Sequence, residues 1–237
     1  MKTQLTLMAL LLGAMPFMTA CDSVSGSGRV ATENRSIRPF AQLEVAGSMD
    51  VFITQGKGGT AQLEAEDNIL QFIELIEEGD KLRVRFRNNV SIRTRKDVKI
   101  YLATERLSMV EAAGSGDIKI EGHFTNDVPV KLSIAGSGDL EGGFSAPEVR
   151  VNIAGAGDVE VKGETRDLNV DIAGSGNCDA SELLSETADV NIAGSGNVKL
   201  HASRAIKATI LGSGDIYYKG EPSVNLNKMG SGGVHKQ

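Results

Sequence analysis

The sequence predicts an all-β protein, a parallel β-helix with coils of about 18–22 residues, and three observations predict it. A five-residue motif of Ala, Gly, a small residue, Gly and Asp or Asn returns down the second half of the chain. Its leading glycines, Gly114, Gly136, Gly155, Gly174, Gly194, Gly212 and Gly230, stand 18 to 22 residues apart. Around each copy apolar and polar residues alternate, the period of two that belongs to strands. Trp is absent, aromatics make up 4% and glycine numbers 28, so the core must be aliphatic. A unit of about 19 residues cannot bury its own apolar side, and stacking on copies of itself solves that problem.

Taken in order, the chain opens with Lys2 and an apolar run from Leu5 to Met18. Such a run is shorter than the roughly 20 residues of a membrane span and fits the core of an export signal. It ends in Met18-Thr19-Ala20-Cys21, which resembles the lipobox of bacterial lipoproteins, with Met18 in place of the usual leucine. Residues 1–20 therefore read as a lipoprotein signal peptide and Cys21 as the lipidated residue. The alternative is ordinary secretion with an incidental cysteine. Asp22-Ser23-Val24-Ser25-Gly26-Ser27-Gly28 reads as part of a flexible tether over residues 21–38, followed by a single β-helix domain over residues 39–235. With Cys21 as anchor, Cys178 is left over and reads as a small buried hydrophobe.

Removal of the leader leaves 24 basic against 31 acidic residues, a balance that argues against a nucleic-acid partner. Residues 40–112 keep the strand texture with less regular turns: Val51-Phe52-Ile53 and Leu82-Arg83-Val84-Arg85-Phe86 alternate clearly. Asn68 to Glu78 could place Ile69, Phe72, Ile73 and Ile76 on one helical face, but it reads better as an irregular strand pair.

The repeats run Ala113-Gly114-Ser115-Gly116-Asp117, Ala135-Gly136-Ser137-Gly138-Asp139 and Ala154-Gly155-Ala156-Gly157-Asp158. They continue as Ala173-Gly174-Ser175-Gly176-Asn177, Ala193-Gly194-Ser195-Gly196-Asn197 and Leu211-Gly212-Ser213-Gly214-Asp215. Met229-Gly230-Ser231-Gly232-Gly233 is a degenerate last copy, and Ala46-Gly47-Ser48-Met49-Asp50 an early relative. Inward aliphatics such as Val151 and Ile153 flank a polar column of Ser133, Asn152, Asp171, Asn191 and Thr209. The end around Pro222 and Gly230 reads as a worn-down last coil rather than an open edge.

The motif invites two chemical readings. A dinucleotide loop needs a helix after its glycines to hold the phosphate, whereas strands follow here. A calcium-binding β-roll places Asp two residues after the second glycine at a period of nine; here Asp follows directly, the period is twice as long, and Asn177 and Asn197 replace the acid. The structural reading is that the glycines allow positive φ and close backbone approach at a corner, while Asp or Asn bonds free N–H groups of the turn. No metal or cofactor is implied. His123, His201 and His235 fall in unrelated positions and build no catalytic motif. Many β-helix proteins act on polysaccharides, so a carbohydrate-active enzyme is the alternative to a non-catalytic scaffold. A pocket clustering two or three acids with Arg or Lys on a lateral face would favour the enzyme, and a flat, pocketless side the scaffold.

Lys81, Arg83, Arg85, Arg87, Arg93, Arg95, Lys96 and Lys99 make one basic stripe, with Arg83, Arg85 and Arg87 on its outer face as candidate ligands for an anionic partner. The competing reading pairs the stripe with the preceding acids Glu64, Glu66, Asp67, Glu74, Glu77, Glu78 and Asp80.

Phe40, Leu43-Glu44-Val45, Gly47-Ser48-Met49-Asp50-Val51, the step Glu78-Gly79-Asp80-Lys81-Leu82 and the repeated corner together resemble the DUF2807 family of auto-transporter adhesin head GIN domains, over about residues 39–233. The resemblance implies a right-handed β-helix in the bacterial envelope, often lipid-anchored, and carries over no catalytic residue. The expected protein is a lipid-anchored binding or adhesion module for envelope polysaccharide or protein, with oligomers by end-to-end stacking left open. The expected place is the outer membrane, with the inner membrane as alternative because Asp22 follows the anchor.

Overall fold

The computed structural model describes residues 22–237; the expected signal peptide over residues 1–20 and the expected lipidation at Cys21 fall outside the described residues. The chain forms strands β1 (Asp22–Ser25), β2 (Val30–Ser36), β3 (Gln42–Ala46), β4 (Asp50–Gln55) and β5 (Thr60–Glu66). A 3-10 turn, Leu70–Phe72, leads into β6 (Ile73–Glu78), β7 (Lys81–Phe86), β8 (Val90–Arg93), β9 (Lys99–Thr104), β10 (Met109–Gly114), β11 (Ile118–Glu121) and β12 (Phe124–Thr125). Then come β13 (Val130–Gly136), β14 (Leu140–Gly155), β15 (Val159–Gly174), β16 (Cys178–Gly194), β17 (Val198–Gly212), β18 (Ile216–Lys219), β19 (Ser223–Gly230) and β20 (Val234–Lys236). Together they wind a parallel β-helix of about seven turns.

Two lateral faces carry the stack. The first is β7, β3, β10, β13, the later halves of β14 to β17, and β19, all parallel. The second is β9, β4, β11, the early halves of β14 to β17, then β18 and β20. In the middle coils the strands turn the third corner without a break, so β14 pairs with β15 from Leu140 and Val159 through to Gly155 and Gly174. In-register stacking places like on like. Val151, Val170 and Val190 form one inner ladder, and Ile134, Ile153, Ile172, Ile192 and Ile210 another, each at most 2% exposed. Full burial of each such side chain stabilises by about 1.5–3 kcal/mol.

The order of coils at the N-terminal end does not follow the chain. The coil made by β3 and β4 is inserted between β7 and β10 on one face and between β9 and β11 on the other. Beyond it, antiparallel β6 closes one face on β7, while β5 and then β2 close the other on β9. Those antiparallel strands cover the end of the core with Leu63, Ala65 and Ile73, all buried.

Three expectations change. The tether over residues 21–38 is not free where it is described: β1 pairs with β8 and β2 runs along β5. Its short polar residues resemble a linker, but strand partners distant in sequence satisfy its backbone. Asn68 to Glu78 holds a 3-10 turn and one strand rather than a strand pair. The C-terminal end is an open edge among the described residues, because β19 pairs only with β17 and is exposed along its length. Val224 and Leu226 occupy inner positions with nothing above them, and Met229 is 75% exposed. Lys228 stands in the isoleucine ladder above Ile210 and donates from Nζ to the Gly232 carbonyl at 3.0 Å. An inward-pointing lysine blunts such an edge against further pairing.

Candidate functional site

The corner motif is architecture. Each leading glycine has a φ between 130° and 142° in the copies from Gly114 to Gly230. A Cβ on Gly155 would also lie 2.3 Å from the Gly136 carbonyl oxygen of the coil beneath. The second glycine of each copy has no positive φ and is required by approach alone: a Cβ on Gly157 would lie 2.1 Å from the Gly138 oxygen. The small residue between them donates its N–H downward, as Ser175 does to the Gly155 oxygen at 2.8 Å.

The acid or amide that follows bonds the next coil rather than its own turn, a refinement of the expected role. Asp139 donates N–H to Asp117 Oδ1 at 3.0 Å, Asp158 to Asp139 Oδ1 at 2.9 Å, and Asn177 to Asp158 Oδ1 at 2.8 Å. Asn197 continues onto Asn177 at 3.0 Å, Asp215 onto Asn197 at 3.0 Å, and Gly233 onto Asp215 at 2.8 Å. One accepting oxygen suffices, so Asp and Asn interchange. Among the described residues no group of three or more His, Cys, Asp or Glu is placed to hold a metal ion. Asp158→Asn is expected to leave stability within about 0.5 kcal/mol, whereas Asp158→Ala strands the Asn177 N–H and costs about 1–2 kcal/mol. Urea denaturation of the two variants checks this, and equal losses would mean that the acid itself matters.

The basic stripe divides. Arg83 bonds Glu44 at 2.9 Å and Glu78 at 3.1 Å, Arg85 bonds Glu74 at 3.1 Å, Arg87 reaches Glu74 at 3.5 Å, and Lys81 reaches Glu44 at 3.5 Å. Part of the pairing therefore comes from the acids just before the stripe, as the pairing reading expected, and part from Glu44 of the inserted coil. An anionic ligand at Arg83, Arg85 and Arg87 has to compete with these carboxylates.

Glu66 is fully buried. It accepts N–H bonds from Arg95 at 2.9 Å and Gly28 at 2.6 Å, and so clamps the N-terminal segment to the loop after β8. Gly26 packs so closely that a Cβ there would lie 1.8 Å from Glu66 Oε2. The N–H of Arg95 above all, and then those of Gly28 and Lys96 and the Arg95 charge, hold its carboxyl below the ordinary 4.5, against burial. A depressed folded-state pKa gives stabilisation that is complete above the unfolded value and lost as pH falls through the folded one. Proteolysis of residues 26–29 and 94–96 should therefore accelerate below about pH 4.5 in the native chain. In a Glu66→Gln variant it should be fast at every pH, and a flat pH profile in the native chain would refute the clamp.

The second face carries a column that sequence reading missed. Its outward rungs, aligned by register, are Tyr101, Phe52, Lys119, Glu141, Glu160, Asp179, Lys199, Tyr217 and His235. Phe52 stacks on Tyr101 with centroids 5.1 Å apart, and Tyr217 on His235 at 5.3 Å. Between the aromatic ends, three acids are bracketed by lysines: Lys119 lies 3.9 Å from Glu141 and Lys199 lies 3.2 Å from Asp179. Like charges on adjacent rungs repel, and the lysines offset this at both ends while Glu160 stays exposed without an ion pair among the described residues. Asp139, Asp158, Asn177 and Asn197 border the same shallow cleft, of about 560 Å³. One signal was legible: each of these residues from Phe52 onward stands two places after the corner's Asp, Asn or final Gly.

Two or three acids with a lysine beside a cleft on a lateral face meet the criterion that would favour an enzyme, while the family and the similar structures carry the names of adhesins and a lipid-binding protein. A glycosidase needs one carboxyl with a raised pKa as general acid. Burial works to raise Asp179, but the Ser181 hydroxyl and N–H, followed by Lys199, outweigh it and hold the group below its ordinary range. On the neighbouring surface His123 Nε2 meets Ser145 Oγ at 2.7 Å. No carboxylate bonds the other ring nitrogen among the described residues. Cys178 lies under the acidic column, 1% exposed, and burial pushes its thiol up to about 12. It is neutral and packed as a hydrophobe.

The fold and its faces define a class: a β-helix whose repeated motif is spent on stacking and whose variable residues line the outside. The chain belongs to the DUF2807 family, described as "Putative auto-transporter adhesin, head GIN domain", whose profile matches residues 39–222. It is similar in fold to a "putative adhesin" from Bacteroides fragilis, at 24% identity and a TM-score of 0.82, over 90% of this chain and 100% of that one. A "putative lipid binding protein" from Parabacteroides distasonis matches at 24% identity and 0.73, over 91% and 100%. A "putative adhesin" from the same species matches at 18% and 0.73, with the same coverage. No curated protein matches significantly.

Proposed function

We propose that this protein is a lipid-anchored, non-catalytic binding module of the cell envelope, and that the column from Tyr101 to His235 is its ligand face for a hydroxyl-rich glycan chain. The column itself carries this reading. Stacked rings at both ends offer apolar faces to sugar rings. Glu141, Glu160 and Asp179 accept hydrogen bonds from hydroxyls, and Lys119 and Lys199 donate them. Successive rungs about 4.8 Å apart put roughly 19 Å between the two lysines, a length suited to an extended chain rather than a small molecule. The family's adhesin label and those of the similar structures agree with binding rather than turnover.

Calorimetric titration of the full chain against neutral and acidic envelope oligosaccharides tests the face. Binding lost in Tyr217→Ala and Glu160→Ala, with no product formed, supports the proposal. Binding unchanged in both variants, or release of shortened glycan, overturns it. Charge reversal at Arg83, Arg85 and Arg87 in the same titration asks whether an anionic chain uses the paired stripe instead. Radiolabelled palmitate incorporated by the native chain but not by Cys21→Ser checks the anchor.

A further inference from the structure

Ion pairs neutralise Arg83, Arg85 and Arg87, whereas at the other end of the basic stripe only Arg95 feels an opposing buried charge, that of Glu66. Arg93, Arg95 and Lys96 are exposed and form no ion pair among the described residues. Asp97 is the one acid between Arg87 and Lys99. The nearest buried carboxylate, Glu66, is occupied by backbone N–H groups, including those of Arg95 and Lys96 themselves. The cations are held in place rather than carried on a loose loop. Arg93 ends β8, the backbone N–H of Gly26 donates to its carbonyl at 2.9 Å, and Glu66 ties Arg95 and Lys96 to Gly28.

This cluster lies beside β1, level with its last residue, Ser25. Asp22 pairs with Val90 and Ser25 with Arg93, so β1 and β8 run together over four rungs. At about 3.3 Å per residue, the level of Arg93 is within roughly 10 Å of Asp22. From Asp22 onward the chain is held in β1 rather than left as a free linker. In a chain with a formal net charge of −6, a fixed cationic group at this end is a local reversal of sign.

We infer that Arg93, Arg95 and Lys96 form a docking surface for the anionic headgroups of a lipid bilayer, which seats the N-terminal end of the solenoid on the membrane. The surface is complementary in charge to acidic phospholipid. Basic residues close to such a surface contribute about 1 kcal/mol each, within a Debye length of some 8 Å at physiological salt. Where the Cys21 lipid of the proposed function is present, the cluster acts as its second attachment and stands the β-helix upright, with the column on the second face directed sideways. This orientation rests on the anchor reading; the headgroup contact does not.

The test uses the full chain carrying Cys21→Ser, which has no lipid, with sedimentation on vesicles of phosphatidylcholine alone or mixed equally with phosphatidylglycerol. Binding to the mixed vesicles only, weakened by salt and reduced on the order of 100-fold in Arg93→Ser/Arg95→Ser/Lys96→Ser, is the expected result. A control, Arg83→Ser/Arg85→Ser, should bind as the parent does. No binding of the parent to acidic vesicles, or equal binding by the triple variant, overturns the inference. Because these variants carry no lipid, either outcome is independent of palmitate labelling. Labelling can thus fail while headgroup binding stands, or the reverse. Circular dichroism of the triple variant confirms that the fold survives.

Discussion

Gly174→Ala is expected to destabilise the protein by about 3 kcal/mol or more, while Ser175→Ala one residue later stays within about 0.5 kcal/mol. Gly174 has a φ of 137°, and a Cβ there would lie 2.2 Å from the Gly155 oxygen. The strained backbone costs about 1–3 kcal/mol. Relief of the overlap requires the two coils to part, which breaks the bonds from Ser175 N–H and Gly176 N–H to that same oxygen, at 2.8 and 3.1 Å. Ser175 points to solvent, and Ala156 holds the same place one coil below, so its replacement touches nothing. Urea midpoints of the two variants compare them directly. Similar small losses in both would show that the corner is looser than its geometry implies. Gly176→Ala adds a second comparison: its φ is ordinary, yet a Cβ would lie 2.1 Å from the Gly157 oxygen, so its cost comes from overlap alone.

Phe144→Ala is expected to cost about 3–5 kcal/mol. Phe144 is fully buried and stacks on Phe124 with centroids 6.1 Å apart; the two are the largest of the fully buried side chains. Its ring occupies space left by Gly142, where a Cβ would lie 3.0 Å from both Phe144 Cε2 and Ile120 Cδ1. Gly142→Ala alone should therefore destabilise by overpacking. In the Phe144→Ala background the same change fills part of the cavity and should recover stability. A double-mutant cycle measures that coupling, and strict additivity would deny that the two residues share one volume.

The same physics separates what the chain announces from what it conceals. A ladder of Ile134, Ile153, Ile172, Ile192 and Ile210 is visible as a constant offset from a recurring glycine, because each coil meets the next in register. The corner was legible for a related reason. Positive φ and a carbonyl about 2 Å from any Cβ leave glycine as the residue that fits, so the motif repeats wherever coils touch. The outward column of the second face was harder to see because its identity changes from rung to rung. Tyr217, Lys199 and Asp179 have no common chemistry until they are stacked.

Composition was a poor guide at the ends. Asp22 to Ser36 has the small polar residues of a linker, yet β8 and β5, whose paired residues lie 24 to 68 positions away in sequence, recruit it into strands. The ending around Pro222 reads as wear in the repeat, but only the stacked structure shows that nothing described covers Val224 and Leu226.

By itself the sequence determined the repeat, its strand period, the glycine corner and the aliphatic core, since each is a local demand that recurs at a fixed interval. The tertiary structure decided the rest. It inserted the coil of β3 and β4 between later ones, paired Arg83 with Glu44 across 39 residues, and left Arg93, Arg95 and Lys96 unpaired beside β1. The reason is distance along the chain: stacking brings together residues whose charge and shape are uninformative until their neighbours on the adjacent coils are known.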